Sequence, residues 1–163
     1  MVSYRQNKID REVFIMQKRN EFSLWLSQAL ALLFFAGLLF GACILPTYLN
    51  AIDGGTFTLT QHGTILAIGY GILVIATLAD VLLIRLLWQV RRGNVFIPTN
   101  VTLLRGLSWC CLLAGALFLW LGLFFLLSYA VAFVAVLVGL CLRVVKNAFA
   151  EAIEIKSEND LTV

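Results

Sequence analysis

From Leu107 to Leu142 the chain runs 36 residues without a charged side chain. At 1.5 Å of rise per residue, a straight helix of that length would reach roughly 54 Å, well beyond a bilayer hydrocarbon core of about 30 Å. The run must fold back on itself, giving two lipid-buried antiparallel helices joined by a short turn. No proline fixes that turn. Ser128 and Tyr129 are the polar side chains near the midpoint, so the turn is expected over Leu126 to Ala130, with the tyrosine at the interface.

Two further blocks are long enough to cross a membrane. Leu24 to Leu45 follows a charged leader, and its helix is expected to end at Pro46; Ile65 to Trp88 is interrupted in its later half by Asp80 and Arg85. The first block is about twice as long as the apolar core of a signal peptide, which favours a retained span. Composition agrees: 61% of the 163 residues are hydrophobic and 13% charged, against soluble averages of roughly 45–50% and 25%. The expected fold is all-α, an integral membrane four-helix bundle. A basic leader occupies residues 1–23, the membrane domain residues 24–145, and a helical tail residues 146–163. The spans are expected near 24–45, 65–88, 105–125 and 130–145.

Positive residues are confined to three segments. The leader holds Arg5, Lys8, Arg11, Lys18 and Arg19; the middle holds Arg85, Arg91, Arg92 and Arg105; the end holds Arg143, Lys146 and Lys156. Pro46 to Thr64 and Leu126 to Ala130 contain none. Because lysine and arginine near span ends stay on the cytoplasmic side, both termini and the central loop are expected there. The net charge of +3 reads as orientation plus contact with anionic headgroups, so the lipid bilayer is the first partner. Direct nucleic-acid binding needs a basic face on a folded module, and the pattern contains no such module.

Reaction chemistry is not evident. Cys43, Cys110, Cys111 and Cys141 all fall in expected spans with no Cys-x-x-Cys spacing, and adjacent Cys110 and Cys111 point to different helix faces. His62 stands alone in the loop after the first span and reads as solvated, while Gly54-Gly55 reads as a turn. Neither a serine paired with a base at membrane depth nor a His-Glu-x-x-His helix occurs. No catalytic residue, cofactor or metal site is expected, and the chain is not read as an enzyme.

Asp80, with Arg85 one of two ionisable groups in the second block, is by default a functional candidate because charge inside a span is costly. Arg85 lies about 140° around the same helix, so the structural reading pairs Asp80 with Arg105 of the next helix. The competing reading is a proton or cation site. Gly37-x-x-x-Gly41 permits close helix approach and is expected to pack inside the monomer, a homo-oligomer seam being the alternative.

The segment Arg91 to Arg105 is the most distinctive. Gly93-Asn94 can end one helix in a left-handed cap, Pro98 keeps Ile97 extended, and Thr99 or Asn100 can cap the next. Gly93, Phe96, Asn100, Val101, Leu104 and Arg105 resemble the Gly-x-x-Phe, Asn-Val and Leu-Arg pattern of a bacterial four-span family, domain of unknown function 2975. Glu158, Asn159, Asp160, Leu161 and Thr162 resemble that family's ending. The leader is not part of the resemblance, and the connection between the third and fourth spans is tighter than is usual for the family.

The resemblance implies a multi-pass protein of the bacterial plasma membrane, of a family often encoded beside a small helix-turn-helix regulator. The expected role is a membrane-anchored regulatory or interaction protein that presents Gly93, Phe96, Asn100, Leu104, Arg105, Glu158, Asn159, Asp160 and Leu161 to a cytoplasmic regulator protein. The alternatives are a small transporter or channel subunit centred on Asp80, and a bacteriocin-immunity-type membrane protein. Beyond Arg143, Val145, Phe149, Ala152 and Ile153 recur at helical spacing, giving the tail an apolar stripe.

Overall fold

The structure, a computed structural model, describes the backbone of residues 2–55, 57–93 and 97–161, with side chains described from Trp25 onward except at 53, 156 and 159–161. Four helices follow in order: α1 (Val2–Asp53), α2 (Leu59–Arg91), α3 (Pro98–Leu121) and α4 (Leu127–Leu161). Each is long and apolar enough to cross a membrane, over Trp25–Ile52, Leu59–Arg91, Pro98–Leu121 and Leu127–Ile155. Large apolar side chains such as Leu33, Phe40, Leu123 and Phe133 point outward, as they do when lipid rather than water is the solvent. The chain is a four-span, multi-pass membrane protein.

The helices do not close into a bundle. Among the described residues α1 packs on α2, α2 on α3 and α3 on α4, and no other pair meets, so the molecule is an open row. The reason is physical: lipid tails are as apolar as leucine, so an uncovered helix face gains little hydrophobic free energy from a second helix. Association instead needs close packing and hydrogen bonds. Close packing is most extensive between α3 and α4. A Cβ placed on Gly115 would lie 2.8 Å from Val136 Cγ2, and one on Gly139 would lie 3.1 Å from Leu112. On the same seam the Ser108 hydroxyl donates to the Gly139 carbonyl oxygen at 2.8 Å.

Several boundaries differ from the sequence expectation. α1 continues through Pro46 to Asp53. Proline lacks the N–H that would bond the carbonyl four residues back, here that of Ala42, and the Tyr70 hydroxyl of α2 donates to that same oxygen at 3.3 Å. A neighbouring helix thus repairs the ladder, as membrane helices allow. The hairpin turn occupies Gly122 to Leu126 rather than Leu126 to Ala130, and Ser128 and Tyr129 lie in the first turn of α4. The Tyr129 ring occupies the space a side chain at position 122 would need, 2.7 Å from where its Cβ would stand, so the bare glycine sets the turn.

α2 also starts earlier than expected. Thr58 accepts a hydrogen bond from the Gln61 amide at 3.4 Å, and the Gln61 side chain accepts from the Thr58 amide at 3.0 Å, a reciprocal capping box. His62 is therefore a half-buried residue of the first turn of α2 rather than a loop residue. At its other end α2 finishes at Arg91 with Arg92 as its C-cap, and Gly93 takes φ +78°, the left-handed stop the glycine signal implied. α3 then opens with Pro98 as its first residue after Ile97, and no side chain caps it. Thr99 and Asn100 sit inside the helix rather than before it.

Gly37 and Gly41 do not supply a seam within the chain. A Cβ at Gly37 would meet nothing within 4 Å, and at Gly41 only Leu73 at 4.0 Å. The close approaches in α1·α2 and α2·α3 fall elsewhere, at Gly69 against Leu45 (2.9 Å) and Gly106 against Leu82 (3.1 Å).

Candidate functional site

Polar groups inside the row mark two places. The first is Asp80, 4% exposed on the face of α2 that meets α1. Its neighbours across a cavity of about 410 Å³ are Ser27, Leu30, Ala31 and Phe34 of α1, with Leu83 and Leu87 on its own helix. Among the described residues its Oδ2 has no hydrogen-bond partner, and no ion pair joins it to Arg105. The expected pairing fails because α2 turns opposite faces to its two neighbours. Asp80 looks toward α1, whereas Arg105 lies on the side of α3 that faces α4. Arg85 is exposed and does not line the cavity.

The second place is a cavity of about 290 Å³ between α3 and α4, lined by Arg105, Ser108 and Trp109 from one helix and Arg143, Lys146 and Asn147 from the other. Each set has the spacing i, i+3, i+4 that puts three side chains on one helical face. The Arg143 guanidinium lies 4.8 Å from the centre of the Trp109 ring, a cation–π contact. At the neighbouring helix end Arg91 Nη1 donates to Gln28 Oε1 at 3.2 Å, and Arg92 stacks 3.5 Å over Trp88. Arginines thus gather at one end of the row. At the opposite end Phe57 meets Phe125 edge to face, ring centres 6.1 Å apart, tying the first loop to the hairpin turn.

The elbow and tail residues separate by burial. Asn100 is fully enclosed and Leu104 is 5% exposed, so both are packing residues and neither offers a surface to a partner. Gly93, Arg105 and Glu158 are exposed. Phe96 and the side chains of Asn159, Asp160 and Leu161 lie outside the described residues. The cavity residues Trp109, Arg143, Lys146 and Asn147 were not singled out by sequence reasoning. Counting equal distances back from the hairpin turn would have paired them, because Arg105 is sixteen residues before Leu121 and Arg143 sixteen after Leu127. The four cysteines are free, and no group of three or more His, Cys, Asp or Glu that could hold a metal occurs among the described residues.

The sequence model of the family described as "Protein of unknown function (DUF2975)" matches residues 23–163. The chain belongs to that family. The match takes in all four membrane spans and the whole tail and leaves out the leader, as the motif resemblance implied. Neither a curated protein nor a solved structure matches the chain.

Proposed function

We propose that this member of the family is a membrane-anchored interaction protein that holds a helix-turn-helix regulator at the cytoplasmic surface. The observation that carries the reading is the length of α4. It continues unbroken for 18 residues beyond Arg143 to Leu161, roughly 27 Å of helix, past the level at which the basic residues end the apolar span. A helix needs no such extension to cross a bilayer. Its exposed Glu151, Glu154 and Glu158 recur at i, i+3 and i+7, an acidic stripe complementary to the basic face with which a regulator meets DNA. Val145 and Ile155 remain exposed beside it.

The test is co-purification of the full chain, in membranes, with candidate helix-turn-helix regulators encoded near its gene. Deleting Glu158 to Val163 should leave insertion intact and reduce capture at least tenfold. Undiminished capture would remove the tail from recognition, and no capture by the intact chain would end the reading.

A second reading, a small transporter or channel subunit, is favoured by Asp80, a buried carboxylate beside a cavity with no group to balance it among the described residues. Cation- or proton-coupled flux in vesicles that disappears in Asp80→Asn would establish this reading in place of the first.

A further inference from the structure

The cavity between α3 and α4 plays no part in either reading. It gathers three cationic side chains, Arg105, Arg143 and Lys146, and no carboxylate lines it. Like charges brought together at a membrane boundary repel one another, and structural salt bridges do not account for the cluster, since no ion pair is formed there among the described residues. The nearest carboxylate along the same face is Glu151, one turn beyond Asn147 on α4.

Depth narrows the chemistry. Arg105 and Arg143 each stand sixteen residues from the hairpin turn, about 24 Å along the helix axes. With the apolar turn itself adding to that length, the cations fall at the edge of a hydrocarbon core of about 30 Å. Trp109 is 53% exposed at this level, where amphipathic aromatic rings settle among headgroups. The floor is fixed: Ser108, 1% exposed, is held to the Gly139 carbonyl, and Arg143 is steered by Trp109. The floor of the site is thus set by two packed helices, while Arg105, Arg143 and Asn147 are exposed at its mouth.

We propose that this cavity is a phosphate-binding site, filled by the headgroup phosphate of an anionic membrane lipid. The two guanidinium groups supply forked donors matched to phosphate oxygens, Lys146 adds a third charge, and Asn147 adds an amide donor at the rim. Basic pockets between spans are where anionic headgroups are held in general. An excess of three positive charges favours a headgroup carrying two phosphates over one carrying a single phosphate.

Native mass spectrometry of the detergent-purified full chain tests this with cardiolipin, phosphatidylglycerol, phosphatidylcholine and inorganic phosphate as separate probes. Cardiolipin should be retained best, phosphatidylglycerol next and phosphatidylcholine least. The triple variant Arg105→Gln, Arg143→Gln, Lys146→Gln should lose cardiolipin binding at least tenfold, whereas Arg91→Gln with Arg92→Gln should change it less than twofold. Arg105→Lys with Arg143→Lys, which keeps the charge but loses the forked donors, should bind less than the parent and more than the triple variant, and guards against a triple variant that misfolds. Inorganic phosphate that displaces cardiolipin at millimolar levels would assign the site to free phosphate; failure to displace it assigns the site to the headgroup. Equal losses in the two glutamine variants would show a diffuse charge effect and overturn the proposal, as would equal retention of phosphatidylcholine.

Discussion

Pro46 leaves the Ala42 carbonyl without its helical donor, and Tyr70 supplies a replacement from the next helix at 3.3 Å. The two residues are therefore coupled through the Ala42 carbonyl. Interhelical hydrogen bonds in membranes average about 0.6 kcal/mol, so Tyr70→Phe should lower unfolding stability by about that much. In a Pro46→Ala background residue 46 again donates to Ala42, and the same substitution should cost less than half as much. Stepwise detergent unfolding of the four chains measures this cycle, and equal costs in both backgrounds would deny the coupling. The soluble-protein rule that proline ends a helix fails at this residue because its repair depends on a tyrosine 24 positions away, which no local pattern displays.

Asp80 reverses an expectation at the same scale. Paired with Arg105, it would make Asp80→Leu severely destabilising. Facing an apolar cavity with Oδ2 unsatisfied, it should instead behave as a buried polar group whose removal is neutral or stabilising. The expected result is an unfolding midpoint for Asp80→Leu at or above that of the parent. A loss of about 3 kcal/mol or more, the scale of a broken buried ion pair, would show that a partner exists. The costliness of the carboxylate was legible in the sequence. Its direction was not, because that depends on which face of α2 receives α1 and which receives α3.

At the scale of elements, the α3–α4 hairpin is the part of the row held most tightly, and glycine accounts for it. Gly115→Val would drive a branched side chain into Val136, already 2.8 Å from an added Cβ, at a cost of about 1–3 kcal/mol or more. Gly37→Ala should be neutral or stabilising by up to about 1 kcal/mol, since it meets nothing and alanine is the better helix former. The small-residue motif in α1 thus points the wrong way. The 36 uncharged residues made the existence of the hairpin legible, but polar side chains proved a poor guide to its turn. Gly122 was the better signal, because only a residue without a side chain leaves room for the Tyr129 ring.

Across the whole molecule, the open row lets lipid reach both outer faces and sorts the chain by charge into a basic end and an end without lysine or arginine. Four spans were readable because apolar length alone specifies them; their order in space was not, because lipid-facing and helix-facing residues are equally apolar. Burial of Asn100 and Leu104 was hidden for the same reason, and so was the basic cavity, whose cations first read as orientation signals. The same cations predict an orientation. A reporter fused after Thr56 should register on the external side, and fusions after Gly93 and Val163 in the cytoplasm. Neutralising Arg91 and Arg92 should weaken that bias without preventing insertion, because apolar length drives entry while charge chooses direction. Neutralising Arg105, Arg143 and Lys146 tests something further. If those cations only orient the chain, the two sets of substitutions should shift the fusion signals alike. If the second set also serves a bound headgroup, its loss should lower the thermal stability of the correctly oriented protein in anionic vesicles and leave it unchanged in phosphatidylcholine, a difference that orientation alone cannot produce.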